Sequence, residues 1–368
     1  MKKKLRTGYT TGACAAAGAK AAVMMLEQQS TISQITIQLP SGIPATFALH
    51  GQSWSSDTAA CYIIKDAGDD PDITNGAEIH VQARQTAAES ADAPSLIIAG
   101  GAGIGTVTKP GLAIAPGEWA INPVPRRMIA EAVASVSVRQ DNRHHTTTIV
   151  ISIPDGEERA KKTLNGRLGI IGGLSILGTS GIVRPISTAA WTDTIDASLD
   201  VAKACGCETV ILSTGRTSEQ AARLALPHLP EEACIMMGDH VGYAVRACLA
   251  RGFTAPVIAC QFAKMLKIAC GHENTHATAS DLDLGTLFTW VEAAKLPRHF
   301  LDLISHANTA REIAIATDFD TTLMEIVSAR AQRAAAVHAP GITIIPMLCR
   351  YDVSTRQPPP FFPATSEH

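Results

Sequence analysis

Residues 209–264 read TVILSTGRTSEQAARLALPHLPEEACIMMGDHVGYAVRACLARGFTAPVIACQFAK. Three short apolar runs, 209–213 (TVILS), 234–237 (CIMM) and 256–259 (PVIA), alternate with helix-length segments at 218–226, 241–250 and 262–269. Such short, uniformly apolar runs read as strands buried on both faces, and their alternation with helices predicts βαβ units and a parallel sheet. Parallel strands line up their carboxyl ends along one edge, where ligands of such sheets bind. The residues to inspect are therefore 213–216 (STGR), 238–240 (GDH) and 261–264 (QFAK).

Outward from this stretch, 189–204 reads as a preceding helix and 168–171 as an earlier strand followed by the glycine-rich run 172–181. Residues 282–337 read as mostly helical, with a late apolar strand at 342–346. The first part of the chain is mixed α and β. Thr10-Thr11-Gly12 caps an alanine-rich helix over 13–27, a strand follows at 33–39, 63–79 is strand-rich with DAGDDPD (66–72) as an acidic loop, 128–137 is helical, and 146–153 (TTTIVISI) is a strand. The expected organisation is an α+β domain at 1–165, an α/β domain with a mainly parallel sheet at 166–353, and a Pro-rich tail at 354–368.

A chain of 368 residues exceeds what one core usually holds, so two domains are expected. Aromatic residues make up only 4 % and the formal charge is −3, which argues against nucleic-acid stacking platforms and polyanion binding. No apolar run reaches membrane-spanning length, and the residues after Met1-Lys2-Lys3-Lys4 are too polar for a signal peptide. Nine cysteines without a C-x-x-C, several inside apolar runs, read as reduced thiols of a cytoplasmic protein.

Local charge departs from that average. Residues 100–127, GGAGIGTVTKPGLAIAPGEWAINPVPRR, hold six glycines, four prolines, Lys109, Arg126 and Arg127 against one acid, Glu118. Residues 160–192 and 240–272 contain no Asp or Glu but carry Lys161, Lys162, Arg167, Arg184, Arg246, Arg251, Lys264 and Lys267. Surfaces of one sign concentrate counter-ions, so these segments suit an anionic small molecule. An alanine- and glycine-rich core that merely lacks acids is the plainer alternative.

Three motifs invite chemistry. GAGIG at 101–105 resembles half of a dinucleotide fingerprint, but Pro110 and Pro116 forbid the helix that should follow. STGRTSEQ at 213–220 does follow a strand and open a helix, so its amides and Arg216 suit a carboxylate or phosphate; an ordinary Ser/Thr cap is the alternative. HENTH at 272–276 is a literal H-E-x-x-H, yet Gly271, Asn274 and Thr275 make poor helix, against a zinc protease. Asp239, at a strand's carboxyl end, suits a ribose diol or a base, or else a helix cap.

LRTGYTTGACAAAGAKAA, GGAGIGTVTKPG, INPVPRRMI, LGIIGGLSILGTSGIVRP, LSTGRTSE, MGDHVGYA and KMLKIACGHENTH occur in this order between Leu5 and His276. Together they resemble the CbiD family, over a span reaching about Arg350. The resemblance implies an α+β N-terminal domain and a Rossmann-like C-terminal domain. It also implies S-adenosylmethionine-dependent methylation of C-1 of cobalt-precorrin-5B, giving cobalt-precorrin-6A in the oxygen-independent route to the corrin ring. Glu273 stands where the family segment varies, which leaves His272, Thr275 and His276 as the matching residues.

With that chemistry, Asp239 and His276 become candidate bases, and Gly101, Gly103, Gly105, Thr214, Gly215 and Gly238 candidate S-adenosylmethionine contacts. Thr10, Thr11, Lys109, Arg126, Arg127, Arg184, Arg216, Lys264, His272 and Thr275 become candidate contacts for a many-carboxylate macrocycle, arginine being suited to bidentate carboxylate binding. Cobalt would arrive within the substrate, so no protein metal site is expected, and a homo-oligomer is possible. The rival readings are a nicotinamide-dependent tetrapyrrole reductase and a non-enzymatic corrinoid carrier.

Overall fold

Thr10 caps the first helix as its sequence predicts: its hydroxyl accepts a hydrogen bond from the Ala13 amide at 3.2 Å, and α1 runs Thr11–Gln28. The structure, a computed structural model, describes residues 5–88, 90, 92–136, 145–185 and 187–351. Its contacts divide the chain into two units, Met1–Ser187 and Thr188–His368. The expected tail at 354–368 lies outside the described residues.

In the first unit, β1 (Gly8–Tyr9) precedes α1, and β2 (Gln34–Gln38) and β3 (Pro44–Ala48) form a hairpin with alternate residues buried. A five-stranded sheet combines β4 (His50–Trp54), β5 (Thr58–Ile64), β6 (Glu78–Ala87), β7 (Leu96–Gly100) and, after β8 (Thr106–Val107) and α2 (Pro123–Ala134), β9 (His145–Ser152). Its order is β4-β5-β6-β9-β7, antiparallel except for β7 against β9. The alanines of α1 let it lie close to this sheet; a Cβ on Gly18 would stand 2.7 Å from the Val81 side chain. The acidic loop expected at 66–72 (DAGDDPD) lies in the connection between β5 and β6, where buried Lys65 pairs with Asp72 at 2.6 Å. α2 begins five residues earlier than the apolar pattern indicates because Pro123, without an amide hydrogen, is well suited to a first turn.

The domain boundary expected at 165/166 falls at 187/188 instead. After α3 (Gly156–Ala160), β10 (Ile170–Ile171) pairs with β8 and β11 (Ile182–Val183) with β1, tying 166–187 into the first unit. The run at 168–171 is thus no member of the parallel sheet.

In the second unit, α4 (Thr188–Ala204), β12 (Ile211–Ser213), α5 (Arg216–Ala225), β13 (Cys234–Met236), α6 (Val241–Ala250), β14 (Val257–Cys260) and α7 (Phe262–Ala269) alternate as the sequence predicts. Helices α8 (Leu284–Ala293), α9 (Arg298–His306), α10 (Ala310–Ala316) and α11 (Thr321–His338) lead to β15 (Ile345–Leu348). The four strands are parallel, in the order β13-β12-β14-β15. Alternate residues feed separate cores: Ile211, Val257 and Ala259 pack with Ala221 and Ala222 of α5, whereas Leu212, Ile258 and Cys260 pack with α4, α6, α7 and α11. Both faces are covered, which is why these strands read as unbroken apolar runs. Strand order reverses between β12 and β14, so the crevice at their carboxyl ends is the topological switch point.

Candidate active site

Three loops meet that edge. After β12 the Thr214 amide bonds the Ala259 carbonyl at 3.2 Å, and Gly215 follows in an extended conformation. No heavy atom lies within 4 Å of where a Gly215 Cβ would be, so its side faces open space. The first intrahelical bond of α5 is Glu219 N to Gly215 O, leaving the preceding amides of a helix amino terminus for another acceptor. Ser218 Oγ does serve the expected capping role, accepting from Gly215 N at 3.2 Å. Arg216 is exposed and has no side-chain partner among the described residues.

After β13 comes Met237-Gly238-Asp239-His240. Gly238 has φ +59°, and a Cβ there would stand 2.7 Å from the Trp191 ring. Asp239 does not cap α6; His240 occupies that position. Asp239 Oδ1 accepts from Lys264 Nζ at 2.5 Å and Thr275 Oγ1 at 2.7 Å, while Oδ2 has no partner among the described residues. Partial burial alone would raise the Asp239 pKa. The Lys264 and Thr275 hydrogen bonds and the positive charge of Lys264 outweigh that and hold it below the ordinary carboxylate range. A carboxylate so stabilised is a weak proton acceptor, so the geometry suits a fixed hydrogen-bond acceptor rather than the expected base.

The third loop carries HENTH. It is not helical, and Glu273 is held by Arg246 at 2.9 Å and His338 at 3.3 Å, which accounts for it without a metal. Among the described residues no cluster of three or more metal-ligating side chains occurs. Thr275, 2 % exposed, reaches Asp239 rather than solvent, and its own amide bonds the Asp239 carbonyl at 3.0 Å. Lys267 Nζ fastens the loop through the carbonyls of Thr275 (3.1 Å) and Ser280 (2.8 Å). His276 Nδ1 lies 2.9 Å from Thr278 Oγ1 and 3.2 Å from the Thr278 amide, so the exposed ring is held against its own loop. His272 borders a cleft of about 500 Å³ shared with Asp281 and Asp283, an acidic setting unsuited to carboxylate ligands.

Most candidates in the first unit serve its own architecture. Thr11 Oγ1 bridges Leu177, accepting from its amide at 3.0 Å and donating to its carbonyl at 3.2 Å, and Thr10 fills the space a Cβ on Gly178 would need. A Cβ on Gly103 (φ +72°) would stand 1.9 Å from the Ile153 carbonyl oxygen, and one on Gly105 would meet Ile170 at 2.5 Å. Gly101 is likewise closed off by Ser152 at 2.4 Å. On their Cβ sides these glycines admit neighbouring protein. Lys109 lies across Gly169 and bonds the Arg167 carbonyl at 3.2 Å. Arg126 donates to the carbonyls of Ile121 (3.0 Å), Ile98 (3.4 Å) and Trp119 (3.4 Å). Arg127, 3.9 Å from Glu131, and Arg184 remain exposed.

Sequence reasoning overlooked Trp191, because a single aromatic in a helix-forming run gives no local signal of its position against Gly238. All nine cysteines are free, and burial pushes the thiols of Cys14, Cys61, Cys248 and Cys349 up to about 12, which makes them inert as nucleophiles. No helix among the described residues is long and apolar enough to cross a membrane.

The sequence profile of the CbiD family matches residues 1–185, and that of the CbiD C-terminal domain matches 274–353. Proteins named cobalt-precorrin-5B C(1)-methyltransferase are similar along nearly the whole chain. The one from Pelobacter propionicus is 56 % identical over 367 residues, covering 92 % of each chain. The one from Geobacter sulfurreducens is 55 % identical over 357, covering 95 % of this chain and 97 % of the relative. A crystal structure of a cobalamin biosynthesis protein (CbiD) from Archaeoglobus fulgidus is 27 % identical, covering 71 % of this chain and 78 % of the other, with a TM-score of 0.38. On the extent of the family match and the identity to these relatives, the chain belongs to the CbiD family.

Proposed function

We propose that this chain is a methyltransferase that uses S-adenosylmethionine to methylate C-1 of cobalt-precorrin-5B. The substrate and reaction are those in the names of relatives up to 56 % identical. The observation that carries the site is Asp239. One carboxylate oxygen is locked by Lys264 and Thr275, and the other is free at the carboxyl end of the strand next to the switch point. In this reading the parallel sheet is used in the Rossmann-like manner, the first strand, β12, giving the glycine turn and the next, β13, an acid for a ribose diol.

The residues present fit S-adenosylmethionine. Its ribose hydroxyls need an acceptor, which Asp239 Oδ2 offers. Its carboxylate needs donors, which the first amides of α5 and the Arg216 guanidinium offer, and Gly215 leaves room for close approach. Bound there, the donor supplies an electrophilic methyl group that leaves behind a neutral thioether. The protein's part is then positioning and exclusion of water, since the sulfonium needs no further activation. Lys264 and Thr275 fix the Asp239 rotamer, and Lys267 fixes the loop carrying Thr275. Free cysteines and the corrinoid substrate suit a reducing cytoplasm.

Calorimetric titration with S-adenosylhomocysteine, NADH and NADPH tests this reading. Saturable binding of S-adenosylhomocysteine alone is expected. Nicotinamide binding without it would favour a reductase, and binding of none would favour a carrier.

A further inference from the structure

Trp191 sits in the first turn of α4, Thr188–Ala204. Its indole N–H is satisfied inside the unit, donating to the Met237 carbonyl at 2.9 Å, while the residue remains 43 % exposed. A buried indole N–H usually finds a partner, and this one does. Here the chain pins the polar atom and leaves apolar ring surface wet.

The neighbourhood is built around that ring. Gly238 holds φ +59° and lies so near that any Cβ would stand 2.7 Å from the indole, so only glycine allows the ring its place. The His240 imidazole flanks it at 6.3 Å between centroids, tilted by 40°. Gly238 is adjacent in sequence to Asp239, whose free oxygen is the ribose acceptor of the proposed donor site.

We infer that Trp191 is the stacking platform for the adenine ring of the methyl donor. This rests on the donor reading of that site and extends it to the base. A nucleoside whose sugar is held by Asp239 brings its base within reach of the residues packed on Gly238. A rigid indole, anchored through its N–H, binds a planar base with little further loss of side-chain freedom. Corrinoid recognition by the same ring is the competing use, and the test separates the two.

The test titrates wild type, Trp191→Ala and Trp191→Phe with S-adenosylhomocysteine, adenosine and homocysteine, with circular dichroism and thermal melting as folding controls. Trp191→Ala is expected to weaken S-adenosylhomocysteine about tenfold or more, in the range of base–aromatic stacking, with a parallel loss for adenosine. Homocysteine binding should stay unchanged, and Trp191→Phe should recover part of the loss. Gly238→Ala, which displaces the ring, should reproduce the alanine defect. Wild type binding S-adenosylhomocysteine with Trp191→Ala binding it equally well would overturn the platform but leave the donor site standing. An equal KM for donor with a raised KM for the macrocycle would assign Trp191 to the corrinoid instead. A wild type that binds no S-adenosylhomocysteine would overturn the donor reading and the platform together.

Discussion

Lys264 Nζ stands 2.5 Å from Asp239 Oδ1, an oxygen that also accepts from Thr275 Oγ1 at 2.7 Å. The pair joins the first turn of α7 to the loop after β13, and the third partner comes from the HENTH loop. With its side chain 23 % exposed, Asp239 has one oxygen without a partner among the described residues, while three elements determine its orientation.

This arrangement predicts a pH effect with a definite sign. The Asp239 pKa is lowered in the folded protein, so the stabilisation it contributes is present above the unfolded carboxylate pKa and is lost as pH falls through the folded value. Lys264→Met removes a hydrogen bond and a charge that lower the pKa, while burial still raises it. The acid limb of S-adenosylhomocysteine binding should therefore move to higher pH in Lys264→Met. Calorimetry across an acid pH series measures it; an unmoved limb would mean that Asp239 does not face the ligand.

Two glycines make opposite predictions. Gly103→Ala places a Cβ where the Ile153 carbonyl already is, at positive φ, and should prevent stable folding, read by thermal melting. Gly215→Ala meets nothing within 4 Å in an extended backbone, so its melting temperature should match wild type while its affinity for S-adenosylhomocysteine falls. Unchanged affinity in a folded Gly215→Ala would show that no ligand approaches there.

The Thr10-Thr11 pair is expected to act on stability rather than binding. Thr10→Ala removes the cap of α1 and should lower stability by about 1 kcal/mol in urea unfolding, leaving S-adenosylhomocysteine affinity unchanged. A binding defect at full stability would return Thr10 to the ligand site.

Arginines divide in the same way. Arg126→Gln strips donors from three carbonyls and should cost roughly 1–3 kcal/mol of stability. Arg216→Gln has no structural partner to lose among the described residues and should leave melting unchanged while raising the KM for the methyl donor. The two effects, read by melting and steady-state kinetics, should not exchange places.

The second unit's sheet was legible because each buried strand is a short apolar run bounded by turn residues, and its ligand edge follows from parallel order. The boundary was not, because β10 and β11 are two residues long and their partners, Val107 and Tyr9, lie far away in sequence. Glycine at 101, 103 and 105 signals that something comes close; only the fold shows that it is the chain itself, at Ser152, Ile153 and Ile170. Likewise, the charge of Arg126 and Lys109 is visible in sequence, but the carbonyls that absorb it are not. Asp239 was found because a strand end is recognisable, but its partners were not, because Lys264 and Thr275 reach it from 25 and 36 residues away.

Methyl transfer itself is measured by single-turnover reaction of the full chain with methyl-labelled S-adenosylmethionine and cobalt-precorrin-5B under anaerobic conditions. Label appearing in the corrinoid at C-1, with one S-adenosylhomocysteine formed per methyl transferred, is the predicted result. An unlabelled macrocycle from a folded protein that binds both molecules would contradict it.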